Sequence, residues 1–333
     1  MFKYLGSKKL LIPAILELIP PWSGKVLDVF SGTCRVSYAL KERGYPTIAN
    51  DLNNYAVTSA RCYLEAHKEE HSKEAIDILR ELNEIKGVSG YFTDTFCVKS
   101  RFFHPKNGER IDAIREKIEE RNYPEPLRSV LLVSLMEAAD KVDSTCGVQM
   151  AYLKSYATRA HHDIRLNLPP LLPKVEGCKA ILGDAATVGE RVGKIDIAYL
   201  DPPYNQHSYL GNYHIWESLV LWDKPEVYGI ACKRVDVQDR KSDFNSKVRI
   251  KSAFEKTIKG IDAQTYIVSF SNEGYLSEAD ILGILQQIGT PSVIRHDYNR
   301  YVGAKIGIHN DKGEVVGRVS HTKNEELIFV VNK

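Results

Sequence analysis

The residues whose chemistry is easiest to interpret form one short run, Asp-Pro-Pro-Tyr-Asn at 201–205. The run follows an apolar stretch at 195–200, which predicts a buried strand that ends at a rigid turn. At such a turn Asp201 and the Pro202 carbonyl offer hydrogen-bond acceptors, while Tyr204 offers a flat ring. A planar base with an exocyclic amine suits this arrangement, because the amine can donate to both acceptors while the base stacks on the ring.

A second turn of interest lies near the start of the chain, where the apolar run 25–30 leads into Ser-Gly-Thr-Cys-Arg at 31–35. A strand, a turn of small residues and a helix form the opening unit of folds that bind nucleosides or dinucleotides. The single glycine, Gly32, favours a nucleoside over a dinucleotide, since a full pyrophosphate loop has three. Asp51 follows 19 residues after Gly32, near the spacing expected of a ribose-binding acid, although a helix N-cap is equally supported.

These turns belong to a repeated pattern of short apolar strands that end at an acid or a glycine. Another such strand ends at Asp184, 17 residues before Asp201. Helical apolar spacing separates the strands, so the sequence predicts an α/β fold whose parallel strands place acceptors along one sheet edge. Strand-like runs at 292–295 and 326–331, with a turn at 310–313 between them, predict a terminal antiparallel hairpin on the sheet edge.

The middle of the chain, residues 61–175, differs in residue pattern from the segments on either side of it. It has mostly helical apolar spacing and mixes aromatic with basic residues near 91–104 and 155–162. We interpret it as an inserted, mostly helical subdomain, with residues 1–60 and 176–333 forming the main domain. Its aromatic and basic content suits nucleic acid, but ordinary packing helices of one large domain explain the pattern equally well.

A basic segment at 233–259 contains nine Lys and Arg residues against four acids. This local excess predicts a mobile surface segment that contacts phosphates, with a solvated charged face as the alternative. The whole chain has a formal net charge of only +2, from 45 basic and 43 acidic residues. Any surface for nucleic acid must therefore be a local patch.

The composition narrows the class of protein and its compartment. The chain has 333 residues, of which 43% are apolar and 26% charged, as is typical of a globular enzyme. No apolar run approaches the roughly 18 residues of a membrane span, and the first residues do not resemble a signal peptide. Six cysteines without a CxxC pair indicate reduced thiols in the cytoplasm, and no metal site is expected.

With its motifs placed, the chain resembles the D12 (Dam-like) class of DNA adenine-N6 methyltransferases. The resemblance rests on motifs that occur in the same order, which are Lys-Tyr-x-Gly-Ser-Lys at 3–8, Asp-Val-Phe-Ser-Gly at 28–32, Asp51, Gly-Asp at 183–184, Asp-Pro-Pro-Tyr at 201–204, Phe-Ser-Asn at 270–272 and Glu-Glu-Leu-Ile at 325–328. It implies a Rossmann-like, S-adenosylmethionine-dependent methyltransferase sheet in 1–60 and 176–333. By position, 61–175 corresponds to the family's target-recognition insertion.

The same resemblance implies roles for individual residues. Tyr4 and Lys8 would lie beside the methionine end of the cofactor, with Phe30 and Gly32 under its nucleoside. Asp51 would take the ribose hydroxyls, and Asp184 the adenine ring. The implied catalytic motif, whose acid also borders the cofactor, consists of Asp201, Pro202, Pro203 and Tyr204. One departure is Cys34, which stands where the family's Phe-x-Gly-x-Gly has its second glycine.

The resemblance implies transfer of a methyl group to N6 of an adenine that is flipped out of double-stranded DNA. The enzyme would be cytoplasmic, associated with the nucleoid, and either paired with a cognate restriction endonuclease in a restriction-modification system or solitary. Two other classes stay open, namely methylation of cytosine N4 or RNA adenine, and an inactive DNA-binding specificity subunit. Asp201 favours DNA adenine, because cytosine-N4 enzymes more often carry Ser and many RNA enzymes carry Asn at this position.

Overall fold

The computed structural model describes residues 1–21, 24–299, 308–309, 315–317 and 323–333. Within these ranges the fold is built on a seven-stranded, mostly parallel sheet. The strands are β1 (Val26–Asp28), β2 (Thr47–Asp51), β3 (Lys179–Leu182), β4 (Ile195–Leu200), β5 (Val227–Tyr228), β6 (Lys233–Arg234), β7 (Ala263–Ser271), β8 (Ser292–Asn299), β9 (Ile308–His309), β10 (Val315–Gly317) and β11 (Lys323–Asn332). Strands β5 and β6 form one separate pair, and β9 and β10 form another.

The large sheet has the order β3-β2-β1-β4-β7-β11-β8. The first five strands are parallel, and β11 lies antiparallel between β7 and β8. The mixed α/β architecture expected from the sequence is therefore confirmed. Strands β8 and β11 pair antiparallel as predicted, but only β8 lies at the sheet edge. The turn predicted at 310–313 falls outside the described residues.

Helices connect the strands and cover the sheet. They are α1 (Ile12–Glu17), α2 (Arg35–Glu42), α3 (Asn54–Ala60), α4 (Lys68–Glu84), α5 (Tyr91–Thr93), α6 (Pro105–Arg121), α7 (Leu127–Lys141), α8 (Val188–Val192), α9 (Tyr209–Asn212), α10 (His214–Leu221), α11 (Ile250–Gly260) and α12 (Glu278–Leu285). Single turns of 3-10 helix occur at Lys8–Leu10, Val235–Gln238 and Asp243–Asn245. At the start of α12, Ser277 and Asp280 form a reciprocal capping box.

Alternating strand residues divide the sheet between two cores. Val26, Ile197 and Ile267 face one core, which also includes Ile15 of α1 and Leu40 of α2. The residues next to them in each strand face a second core that is shared with α11 and α12, and these are Leu27, Ala198 and Val268. Such strands are buried on both faces, which explains why they are apolar runs in the sequence.

The helices α4, α6 and α7 of the middle segment pack in a third apolar core. Leu79, Ile114 and Leu131 are buried there together with Tyr55 of α3 and Trp216 of α10. The helical content expected for 61–175 is present, and its packing is continuous with helices outside that range. Its role in target recognition stays a prediction. No helix within the described ranges is both long and apolar enough to cross a bilayer.

Candidate active site

The site lies where β1, β2 and β4 end at a common edge of the sheet. Strands β1 and β4 are neighbours, while β2 and β3 extend the sheet in the opposite direction, so the strand order reverses between β1 and β4. Open α/β sheets bind ligands at such a switch point. A cavity of about 260 Å³ opens there. Eight of the ten predicted site residues line it, namely Tyr4, Lys8, Phe30, Gly32, Asp51, Asp184, Asp201 and Pro203.

The remaining two predicted residues, Pro202 and Tyr204, belong to the same turn but do not line the cavity. Pro202 is buried, and the half-buried Tyr204 packs near Phe270 with ring centroids 6.0 Å apart. The carbonyl of Tyr204 accepts a hydrogen bond of 2.8 Å from the backbone of Tyr275. The turn after β4 is thus held by the packing of Tyr204 and by this hydrogen bond, and its two prolines restrict the backbone further.

A buried lysine links Asp201 to a second carboxylate. Lys8 Nζ lies 2.9 Å from Asp201 Oδ1 and 3.0 Å from Glu326 Oε1. Lys8 is 8% exposed and Glu326 is 2% exposed, and the Ser269 hydroxyl also donates to Glu326. The ammonium group therefore holds together the end of β4 and the middle of β11.

Burial sets the protonation of this cluster. It raises the pKa of Asp201 to about 6; Lys8 opposes this increase and Glu326 adds to it. Burial alone would lower the pKa of Lys8, but the carboxylates of Asp201 and Glu326 hold it well above its ordinary value. At pH 7 the lysine is charged, and Asp201 is a mostly ionised carboxylate whose pKa suits proton uptake.

The glycine turn after β1 is bound directly to Asp51. The backbone N–H of Gly32 donates to Asp51 Oδ2 at 2.9 Å, and Asn53 donates to Oδ1 from its backbone and its side chain. Gly32 has a φ of +50°, and a Cβ there would lie 3.0 Å from a ring carbon of Tyr4, so both the backbone conformation and the close contact favour glycine. Asn53 is the N-cap of α3, so Asp51 does not serve as that helix cap.

Cys34 occupies a left-handed backbone conformation, with φ 64° and ψ 23°, directly before α2. This conformation favours glycine, which explains why the family pattern has glycine at this position. The side chain is fully buried, and burial raises the pKa of its thiol. Cys34 therefore adopts the backbone conformation that favours the family's glycine, and its buried thiol is not a reactive nucleophile.

Tyr4 is fixed within a group of tyrosines. Its ring stacks on Tyr209 and Tyr213 with centroid distances of 5.1 and 4.6 Å, and its hydroxyl lies 3.3 Å from that of Tyr55. The backbone N–H of Leu5 donates to the Tyr213 hydroxyl at 2.6 Å. These contacts hold the N-terminal segment, and with it Lys8, against the edge of the sheet.

Several buried polar atoms of the cavity lack a hydrogen-bond partner among the described residues. They are Ser7 Oγ, Asp28 Oδ1, Ser31 Oγ, Arg35 Nε, Asn50 Oδ1 and Tyr199 Oη. Buried polar groups in native proteins are almost always bonded, so such a concentration is expected where a polar ligand binds. The set contains both hydrogen-bond donors and acceptors, as the site of a polar ligand requires.

The segment between β6 and α11 lies against the cavity and corrects one expectation. Arg240 lines the cavity and pairs at 2.6 Å with the fully buried Glu217, and Phe244 packs on Phe30 with centroids 5.0 Å apart. Arg234 is buried in ion pairs with neighbouring acids. The prediction of a mobile, phosphate-contacting surface is therefore wrong for Arg234 and Arg240, because their charges are neutralised inside the chain.

The sequence-based reasoning assigned no role to Glu326, Glu217 or Tyr209. Glu326 is an acid at the start of an apolar strand pattern, and Glu217 is an acid within the apolar run 215–220. An acid in or next to a segment that is predicted to be buried is a signal that could have marked both residues, but it does not identify their partners. Tyr209 had no such signal, because its importance depends on stacking with Tyr4.

Residues 4–276 match the model of the D12 class N6 adenine-specific DNA methyltransferases. This match covers most of the chain, so the chain belongs to that family and is an adenine-specific DNA methyltransferase. The expectation from the sequence motifs is thereby confirmed. Its substrate is DNA, and its reaction requires a methyl donor.

Relatives of known name support the assignment. The Type II methyltransferase M.NlaIII of Neisseria lactamica is 30% identical over 325 residues, which are 93% of this chain and 95% of that protein. M.CviAII of Paramecium bursaria Chlorella virus 1 is 29% identical over 93% of this chain and 96% of its own length. The modification methylase StsI of Streptococcus sanguinis is 27% identical over 98% of this chain, which spans only 53% of that longer relative.

Proposed function

We propose that the chain is a site-specific modification enzyme that transfers a methyl group from S-adenosylmethionine to N6 of an adenine flipped out of double-stranded DNA. The observation that best supports this proposal is the position of Asp201, which faces the cavity while one of its oxygens forms an ion pair with Lys8. The Type II relatives support a restriction-modification system in which a cognate restriction endonuclease is the partner. The proposed location is the cytoplasm, on the nucleoid.

The cavity residues are suited to bind the cofactor. Asp51 accepts two hydrogen bonds from Asn53 on Oδ1 and one from Gly32 on Oδ2, which leaves one lone pair on Oδ2 to accept a ribose hydroxyl. Asp184 would bind the adenine ring, and Phe30 and Gly32 would border the nucleoside. Tyr4 would lie beside the methionine end. When bound, S-adenosylmethionine supplies a methyl group activated by a positively charged sulfur.

The carboxylate of the cofactor needs a cation that is not already neutralised. Lys8 lies between two carboxylates, and Arg240 pairs with Glu217. Arg35 lines the cavity at the first residue of α2, and its buried Nε lacks a partner among the described residues. We assign Arg35 to the carboxylate, because a guanidinium group binds a carboxylate with two parallel hydrogen bonds.

The turn after β4 would hold the target base. Lys8 occupies Oδ1 of Asp201, which leaves Oδ2 and the Pro202 carbonyl to accept the two N6 hydrogens. Accepting them localises the N6 lone pair, which is otherwise delocalised into the purine. Stacking on Tyr204, worth about 1–3 kcal/mol per base, offsets part of the few kcal/mol that base flipping costs. Catalysis then comes from positioning and fixed charges.

Residues 61–175 are proposed as the target-recognition subdomain on the catalytic domain of 1–60 and 176–333. The supporting feature is a surface that mixes aromatic and basic groups. The exposed Arg101 guanidinium lies 5.6 Å from the centre of the Tyr152 ring. His104 lies 5.3 Å from both Tyr156 and His161, measured between ring centroids. Such groups contact phosphates and base edges in DNA complexes.

The test replaces Asp201 with alanine and measures transfer of a tritiated methyl group to duplex DNA. Asp201→Ala should abolish transfer and largely preserve duplex binding, whereas Asp196→Asn, on the same strand, should retain turnover. Near-normal turnover by Asp201→Ala would refute the assignment. Nucleoside analysis of the product distinguishes N6-methyladenine from N4-methylcytosine. Incorporation into RNA alone, or none at all, would favour the other two classes.

A further inference from the structure

Among the described residues, the charge cluster at Asp201 contains two carboxylates, Asp201 and Glu326, and one cation, Lys8. We propose that Glu326 is a positioning residue for methyl transfer, which anchors Lys8 and keeps Asp201 basic enough to take up the proton that N6 releases. This inference rests on the function proposed above. It assigns a role to a residue that lies 125 positions after Asp201 in the chain and does not line the cavity.

The geometry shows how Glu326 can act through Lys8. Lys8 Nζ lies almost equally far from the two carboxylates, at 2.9 Å from Asp201 and 3.0 Å from Glu326. Glu326 is itself fixed by the Ser269 hydroxyl on the neighbouring strand β7. Without Glu326 the ammonium group would pair with Asp201 alone. Asp201 would then be a weaker proton acceptor, because the full positive charge would stabilise its ionised form.

The reaction requires a proton acceptor at this place. As the bond from the methyl carbon to N6 forms, the bond from that carbon to sulfur breaks and sulfur keeps the electron pair. The methylated nitrogen then carries one proton too many, which passes to Oδ2 of Asp201 and later to water. Lys8 cannot accept it, because its amino group is already protonated and its pKa is raised. Glu326 lies outside the cavity, so Asp201 is the acceptor.

Other ionisable groups also face Asp201. Tyr199 of β4, which is buried, and Tyr209 of α9, which is half-buried, are phenols with raised pKa values, so they are neutral at pH 7. Asp28 of β1 is a second buried acid near Asp201, and burial raises its pKa to about 7. None of these three contacts Lys8 in an ion pair. Among the described residues, Glu326 is therefore the group whose removal redistributes the lysine charge.

The experiment measures single-turnover methyl transfer to duplex DNA from pH 5 to 9, with saturating S-adenosylmethionine. The wild-type rate should fall on the acid side with a midpoint near pH 6, the pKa of Asp201. Glu326→Gln should move this midpoint down by about one pH unit and reduce the plateau rate by up to about 10²-fold. Lys8→Met should move it up. Equilibrium binding of the cofactor and of DNA should change little in Glu326→Gln.

Three control variants separate the effect of charge from that of structure. Glu325→Gln removes the same charge from the neighbouring residue, which pairs instead with Arg295, and should leave the midpoint in place. Ser269→Ala removes a hydrogen bond to Glu326 but keeps its charge, so the midpoint should again stay. Glu326→Asp keeps the carboxylate and should restore the wild-type midpoint. Thermal unfolding of each variant confirms that it is folded.

An unchanged midpoint in Glu326→Gln, or a downward shift in Lys8→Met, would overturn the inference and leave the proposed function intact. A midpoint in Glu326→Asp that lies about one pH unit below that of the wild type would also overturn it. Because this comparison is with the wild type, it remains valid if the glutamine variant is poorly folded. Absence of adenine methylation by the wild type would instead reject the proposed function itself.

Discussion

Asp28 offers a direct test of the electrostatics of the cavity. The residue ends β1 and is 1% exposed. Its Oδ2 accepts a hydrogen bond of 2.6 Å from the Ser37 hydroxyl, whereas Oδ1 has no partner among the described residues. Burial raises the pKa of Asp28 to about 7 from its ordinary value of 3.8. We predict that Asp28→Asn stabilises the protein at neutral pH and flattens its dependence on pH.

The magnitude follows from the two pKa values. Between about pH 4 and pH 7 the folded state binds a proton that the unfolded state has lost, so the free energy of unfolding falls as pH rises. A difference of about three between the folded and unfolded pKa corresponds to about 4 kcal/mol, since each pKa unit is worth about 1.4 kcal/mol. Asparagine is neutral throughout and can still accept the hydrogen bond from Ser37.

The assay is urea unfolding of the wild type and Asp28→Asn at each pH from 4 to 8. The stability of the variant relative to the wild type should grow from near zero at pH 4 to about 4 kcal/mol at pH 8. Asp77→Asn removes a charge from an exposed ion pair and should change the free energy of unfolding by no more than about 1 kcal/mol at any pH in this range. If the Asp28→Asn difference is constant across this range, the proposed burial of a carboxylate without full compensation is incorrect.

Two further predictions concern the glycine turn after β1 and the first residue of α2 that follows it. The free energy of unfolding in urea should be at least as high for Cys34→Gly as for Cys34→Ala, because relief of about 1–2 kcal/mol of strain in the left-handed backbone outweighs the flexibility of glycine. An alanine variant that is more stable than the glycine variant by about 1 kcal/mol, as it would be in the interior of an ordinary helix, would contradict this. Arg35→Met should weaken S-adenosylmethionine binding in calorimetry by about tenfold or more, through loss of a charged hydrogen bond, and spare 5′-methylthioadenosine, which has no carboxylate. Equal weakening of both ligands would show that Arg35 does not contact that group.

The sequence predicts those residues of the site whose positions follow from local patterns of apolar and polar residues. Asp51 and Asp201 each follow an apolar strand, and parallel strands must end at one edge, so their proximity was predictable. Glu326 was not, because its contact with Lys8 depends on β11 lying inside the sheet in a particular register with β7. Arg240 was predicted to be a surface charge because its ion pair also depends on tertiary packing. Its partner Glu217 lies 23 residues earlier, and only the packing of α10 brings the two together.

The ion cluster of Lys8, Asp201 and Glu326 also constrains how the enzyme is made. Lys8 and Glu326 are separated by 318 positions in the sequence, so their contact is among the most non-local in the chain. At about 5–20 residues per second, ribosomes need roughly 16–64 s to synthesise the intervening chain. A nascent chain that already contains Tyr4, Asp51 and Asp201 still lacks the strand that completes the cluster. The charge arrangement at Asp201 is therefore completed only when β11 has entered the sheet.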